Sequence, residues 1–272
     1  MIGQETLKQT FSRYIENNAF PKFTLLIGEQ GSGKKEFVRW LSEKTGYELA
    51  VFEPTVDSVR ELISLCYQQT KPIIYLVPDG NNLSATAENA LLKICEEPPK
   101  NSYIVLTTNN DLILPTIKSR AFTVIMEPYS EQELTVFARK LTNKDNLQEK
   151  IELSTTPGDL LMLDVCDSGR LFQLCDNIVN NITKANIGSV LKISKNIQVK
   201  REENNSLFDM QLFLKVLLYK YLINSRKKGM LLESKRCYEI VFSAKRQLQY
   251  NYNKQYILDD MLLRLRDKNA GI

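Results

Sequence analysis

Residues 23–46 read FTLLIGEQGSGKKEFVRWLSEKTG, and this stretch constrains the fold more than any other part of the chain. A short apolar run from Phe23 predicts a buried strand, and EFVRWLSEKTG has helical spacing that stops at Gly46. Between them lies Gly28-Glu29-Gln30-Gly31-Ser32-Gly33-Lys34-Lys35. Strand, glycine-rich loop and helix form a βα unit, the context that a phosphate-binding P-loop requires. Glycines let backbone N–H groups turn inward around phosphate oxygens, and the helix N-terminus adds partial positive charge. Gly28, Gly31, Ser32, Gly33, Lys34 and Lys35 are therefore candidate phosphate-binding residues, with Lys34 placed to reach terminal phosphates. A glycine turn without a ligand is the plainer alternative, and motif and context together argue against it.

The rest of the N-terminal half alternates in the same way. An amphipathic helix is expected over residues 4–17 and another over 56–67. Further strands are expected over 49–52, 73–77 and 103–107, with a fifth at 124–126 and a helix around 88–95. Strands alternating with helices imply a parallel sheet covered on both faces. After Pro128 the pattern changes. Ser130 with Glu133 makes a capping box opening a helix over residues 131–140. From there only helical periodicity is found, broken at Pro157-Gly158, Gly169, Gly188, residues 200–206 and Gly229. Residues 207–223 are apolar nearly all round, as in a helix buried on several sides. Tyr250, Tyr252 and Tyr256 could stack bases, though packing against a helix end is the preferred reading.

A length of 272 residues suggests two or three domains. Histidine is absent, which removes Ser-His-Asp and Cys-His nucleophile systems and His-ligated zinc. The five cysteines form no CxxC pair and read as small core residues in a reducing compartment. No apolar stretch is long enough for a membrane span, and the N-terminus lacks a signal-peptide pattern, so a cytoplasmic protein is expected. From Arg170 onward 19 Lys and Arg stand against 9 Asp and Glu; the first 169 residues carry 17 against 23. A basic C-terminal part can attract nucleic acid or an acidic partner, or can be a solvated helical surface.

Two positions near the loop depart from a working P-loop. Position 35 ordinarily carries Ser or Thr, whose hydroxyl binds Mg²⁺. Lys35 has no lone pair to offer. The strand at 73–77 should end in an acidic pair, yet Pro78-Asp79 follows; proline cannot ligate a metal, and Asp79 holds the second acidic position. No metal site is expected.

Residues 83–99, LSATAENALLKICEEPP, closely resemble the NALLK-LEEPP signature of bacterial clamp-loader AAA+ subunits. Thr107-Thr108-Asn109 looks like their sensor-1 strand end, and Leu114-Pro115-Thr116-Ile117-Lys118-Ser119-Arg120-Ala121 resembles their LPTI-SRC motif. Ile2-Gly3-Gln4-Glu5 is similar to their opening IGQE segment, which lies near the adenine. These motifs run in family order from residue 2 to about residue 121. The resemblance implies an α/β AAA+ P-loop domain with a parallel sheet over residues 1–127, a small helical lid over 128–168 and an all-α collar, the oligomerisation domain, over 169–272. It also adds Ile2 and Asn109 to the candidate nucleotide-binding residues.

Against that family, Lys35 and Pro78 stand at metal positions and Leu161 stands where a sensor-2 arginine is expected after Pro157-Gly158. The cysteine-rich zinc module expected between the P-loop and the acidic strand is missing. Arg120 is kept. The pattern most resembles the δ′ subunit of the DNA polymerase III clamp loader, a stator that does not hydrolyse ATP and offers the SRC arginine to a neighbour's ATP. By that resemblance Arg120 acts as an arginine finger in trans, and Asp79 is a degenerate acidic position. No cofactor is required, though ATP or ADP can bind without magnesium. Partners are other clamp-loader subunits, the sliding clamp and primer-template DNA in the assembled complex, with no membrane. The alternatives are an ATP-hydrolysing AAA+ ATPase in which Asp79 and Glu88 restore metal binding, or a DNA-binding module using the basic C-terminal half. For Arg120 itself, a cation beside a helix C-terminus is the plainer reading.

Overall fold

The computed structural model describes residues 3–109, 115–142, 145–166, 168–202, 210–228, 231–248 and 252–267. In chain order the first elements are α1 (Glu5–Glu16), β1 (Phe23–Ile27), α2 (Lys34–Thr45), β2 (Glu48–Val51), α3 (Val56–Gln68) and β3 (Ile73–Val77). A 3₁₀ turn at Gly80–Asn82, α4 (Ala85–Glu96), β4 (Ser102–Thr108), α5 (Pro115–Lys118), β5 (Phe122–Ile125) and α6 (Glu131–Ala138) follow. The five strands among the described residues form one parallel sheet in the order β2-β3-β4-β1-β5.

Parallel strands need crossover connections, and here these are helices that cover both faces. That is why β1 and β3 are continuous apolar runs, buried along their whole length. Leu25, Tyr75 and Leu106 pack on one face with Leu62 of α3 and Leu91 of α4. Their neighbours Leu26, Ile74 and Val105 pack on the other with Phe11 of α1 and Phe37 of α2. Because β3, β4 and β1 are adjacent, the segments leaving their C-terminal ends converge: Gly28–Gly33 after β1, Pro78–Asp79 after β3 and Asn109 after β4. Ligand sites of open α/β sheets form at this end.

The chain divides into two compact units, one comprising Met1–Phe137 with Thr155–Gly158, the other Ala138–Ser154 with Asp159–Ile272. Described elements of the second unit are helical: α7 (Leu147–Leu153), α8 (Pro157–Val165, whose first two residues belong to the first unit), α9 (Ser168–Asn181), α10 (Ile187–Glu202), α11 (Met210–Lys228), α12 (Leu231–Gln247) and α13 (Lys254–Arg266), with a 3₁₀ turn at Ile182–Lys184. Its core joins Phe172 and Cys175 of α9, Phe213 and Leu217 of α11, Val241 of α12 and Leu262 of α13. Lys220 is held there between Glu149 at 2.5 Å and Asp176 at 2.9 Å, over the Phe172 ring. No helix among the described residues is long and apolar enough to cross a membrane.

The expected α/β half with a helical C-terminal part is thus borne out, with local differences. The fifth strand starts at Phe122 and ends at Ile125. Gly169 and Gly188 lie inside the first turns of α9 and α10 rather than between helices. The polar run at 200–206 does not stop α10 before Glu202, and its remainder lies outside the described residues, as does Gly229. Within α11, Leu212, Phe213, Leu214, Val216 and Leu217 are buried; Leu222 is exposed, and residues 207–209 lie outside the described residues. Tyr252 and Tyr256 are 63% and 73% exposed, so neither ring is buried at a helix end; Tyr250 lies outside the described residues. All five cysteines are buried thiols outside any disulfide, and burial pushes the Cys66 thiol up to about 11 and that of Cys95 to about 12.

Candidate functional site

The loop after β1 is built from its backbone outward. Gly31 and Gly33 have φ of 80° and 87°, a region that side chains disfavour. Every carbonyl from Gly28 to Gly33 accepts a hydrogen bond. The Lys34 ammonium donates to Gly28 O at 2.7 Å and Glu29 O at 2.8 Å. Thr156 Oγ1 donates to Gln30 O at 3.2 Å, Gly158 N to Gly31 O at 3.0 Å and the Tyr129 hydroxyl to Ser32 O at 2.8 Å. Phe37 N closes the first turn of α2 on Gly33 O. With the carbonyls tied, the N–H groups of Gly31, Gly33 and Lys34 meet no acceptor among the described residues. Such a row of N–H groups is chemically suited to an anion.

Lys34 is 7% exposed. Its third bond goes to Asn109 Oδ1 at 2.9 Å, which joins the end of β4 to the loop. Burial lowers its pKa from 10.5 to about 8; Asp79 and Glu29 oppose the shift and Lys35 adds to it. Ser32 is buried, with its hydroxyl 3.5 Å from Met126 Sδ.

The neighbouring position does not fit magnesium. Lys35 Nζ lies 3.7 Å from Asp79 Oδ2, so an ammonium faces the carboxylate that metal chemistry would need. Asp79 holds a left-handed backbone, φ 53°, where the chain turns after β3 into the 3₁₀ turn. Glu88 is buried in the first turn of α4. Among the described residues no group of three or more Asp, Glu or Cys side chains is placed to hold a metal ion.

Groups from outside residues 28–35 also define the loop, and the sequence pattern does not single out Tyr129, Thr155 or Thr156 among them. Tyr129 would touch a Cβ placed on Gly3, at 2.9 Å, and its hydroxyl lies 3.5 Å from where a Gly33 Cβ would be. Burial raises its pKa. Gln4 bridges to the end of β5, donating from Nε2 to Glu127 O at 2.7 Å and accepting from Glu127 N at 3.0 Å. Ile2 lies outside the described residues. Thr155 Oγ1 donates to Glu29 Oε2 at 2.9 Å, so the segment at 155–158 straps the loop from Glu29 to Gly31. Leu161, in the second unit, is 49% exposed.

Arg120 follows α5 and is tied to its own chain. Glu96 Oε1, from the last residue of α4, accepts from Nε at 2.9 Å and Nη2 at 2.6 Å. Nη1 donates to Thr116 O at 2.8 Å, which realises the helix-end contact that elementary electrostatics favours. The side chain remains one-third exposed.

Residues 53–130 match the family described as "DNA polymerase III, delta subunit". A DNA polymerase III subunit delta′ of Buchnera aphidicola subsp. Schizaphis graminum is 36% identical over 102 residues, covering 36% of this chain and 31% of that protein. A DNA polymerase III subunit gamma of Buchnera aphidicola subsp. Baizongia pistaciae is 32% identical over 184 residues, covering 56% of this chain and 50% of that protein. The crystal structure of a DNA polymerase III gamma subunit-related protein from Thermotoga maritima superposes with a TM-score of 0.55 at 20% identity, covering 95% of this chain and 98% of that one. That likeness is one of fold. The chain spans half or less of the length of the curated relatives it matches.

Proposed function

We propose that this chain, a relative of the clamp-loader AAA+ subunits of DNA polymerase III, is a δ′-like stator that does not hydrolyse ATP. The observation that carries the reading is the Lys35–Asp79 pair, 3.7 Å apart. Metal-assisted phosphoryl transfer needs a hydroxyl and a carboxylate on Mg²⁺. Here a cation is built into the chain, and the preceding position is Pro78. On this reading the chain comprises an AAA+ domain over residues 1–127, a lid over 128–168 and a collar over 169–272 through which neighbouring subunits assemble. The partners are other polymerase III subunits, and in the assembled complex the sliding clamp and primer-template DNA; the site of action is the cytoplasm. Any ATP or ADP held by Gly28–Lys34 would be held without magnesium.

The active contribution comes from Arg120. A guanidinium presented to a neighbour's ATP neutralises charge that develops on the transferring phosphoryl group, with its planar fork matched to phosphate oxygens. Loss of such a residue costs on the order of 10³–10⁵ in rate at the site it serves. Two measurements test the reading. The purified chain with ATP and Mg²⁺ should release phosphate no faster than background. Arg120→Ala should leave the chain folded and the complex assembled, while DNA-stimulated turnover falls by one site's share. Turnover by the lone chain, or an assembled Arg120→Ala complex with unchanged turnover, overturns it.

A further inference from the structure

We infer that Glu96 is a positioning residue for Arg120, holding the guanidinium plane so that its outer edge faces away from the chain; the inference rests on the stator reading above. A guanidinium has a side edge formed by Nε and Nη2 and an end edge formed by Nη1 and Nη2. Glu96 takes the side edge with a single oxygen, Oε1, at 2.9 Å and 2.6 Å. Thr116 O takes one N–H of Nη1 at 2.8 Å. These anchors, from α4 and α5, fix the plane from two sides. They leave the second N–H of Nη2 unused and engage Nη1 further only through a long 3.5 Å contact to Ser119 Oγ, so the end edge needs little rearrangement to bond a phosphate or carboxylate. The side chain is one-third exposed, so part of it is within reach of a partner.

Stability does not account for Glu96. It is the last residue of α4, where the helix dipole disfavours a carboxylate, and it is followed directly by Glu97. The pair is one-third to one-half exposed, and ion pairs open to solvent contribute little to folding. What the contact supplies is orientation: a free arginine samples many rotamers, and catalysis by a charged group depends on its being placed before the reaction begins.

The test uses the assembled complex and reads the Arg120-dependent part of DNA-stimulated ATP turnover, defined as the difference between wild type and Arg120→Ala. Glu96→Ala should lower that part roughly three- to tenfold, in kcat, with KM unchanged. Glu96→Gln keeps an acceptor at Oε1 and should restore most of the loss. Circular dichroism and gel filtration of both variants establish that folding and assembly survive, which a merely structural role for Glu96 would alter. If Arg120→Ala lowers turnover but Glu96→Ala does not, or raises it, the positioning role is wrong and the stator reading stands. If Glu96→Gln is as slow as Glu96→Ala, orientation through Oε1 is also wrong. If Arg120→Ala itself changes nothing, the stator reading fails first.

Discussion

Gly158→Ala sets two opposing effects against each other. Gly158 is the second residue of α8, and Ala in place of Gly inside a helix ordinarily gains up to ~1 kcal/mol. Yet a Cβ there would lie 2.4 Å from Gly31 Cα, 3.0 Å from Gly31 O and 3.1 Å from Gly31 C. These are backbone atoms and cannot swing aside, so the strap and the loop must part. Overpacking of that kind costs about 1–3 kcal/mol. Weakening of the bonds from Gly158 N to Gly31 O and from Thr156 Oγ1 to Gln30 O adds about 0.5–1.5 kcal/mol each where they are lost outright. The steric side wins, and a net loss of about 1–3 kcal/mol is expected. Gly188→Ala is the matched control: it is also the second residue of its helix, α10, and its Cβ would meet only Asn186 Oδ1 at 3.4 Å. It should be neutral or gain up to ~1 kcal/mol. Urea unfolding followed by circular dichroism reads both variants. The single Trp, Trp40 in α2, reports separately on the unit that holds the loop. Equal stability of the two variants would refute the close approach of Gly158 to Gly31.

Lys34 and Lys35 give two further tests. Burial lowers the Lys34 pKa from 10.5 to about 8, so between those values the unfolded chain binds more protons and this group favours the folded state increasingly as pH rises. The stability difference between wild type and Lys34→Met should therefore shift toward wild type from pH 8 to pH 10 in urea titrations; a pH-independent difference contradicts the buried ammonium. Lys35→Thr, which restores the hydroxyl alone, should still give no ATP turnover in a phosphate-release assay, since Pro78 offers the metal no carboxylate; turnover in that variant would show that one ligand suffices.

Much of the sheet is legible because its central strands are buried on both faces. IIYLV at 73–77 can hardly be anything but a buried strand between turn signals, and the structure places β3 on those residues. The edge strand β5 is less legible: Phe122–Ile125 is only partly buried, so hydrophobic pattern does not fix where it starts. Glycines mislead at 169 and 188, because glycine marks a helix stop when it lies just past the last turn, whereas these two lie in the first turn. Exposure of Tyr252 and Tyr256 is likewise invisible locally, since an aromatic residue in a polar segment can be buried or bare. At the loop, Gly28–Lys35 is read directly because motif and structure are contiguous. Tyr129 and Thr156 are not, because they reach the loop from 97 and 126 residues away. Glu96 reaches Arg120 across 24 residues for the same reason.

The unusual residues at the loop compensate one another, which bears on how far a single reversion could go. Two adjacent lysines would repel in a partly buried site, and Lys35 does lower the Lys34 pKa further. Asp79 answers both: it raises the Lys34 pKa and pairs with Lys35. It does so from a left-handed backbone that Asp tolerates better than most residues and that leads directly into the 3₁₀ turn. Removing Lys35 therefore leaves Asp79 without its nearest cation but still without a second carboxylate beside it. With Thr at position 35 a divalent ion would have one hydroxyl and one carboxylate, short of the oxygen set that Mg²⁺ prefers around a polyphosphate. Position 35 and position 78 would have to change together, so conversion of this site into a metal-dependent one is a concerted problem in charge and ligand supply.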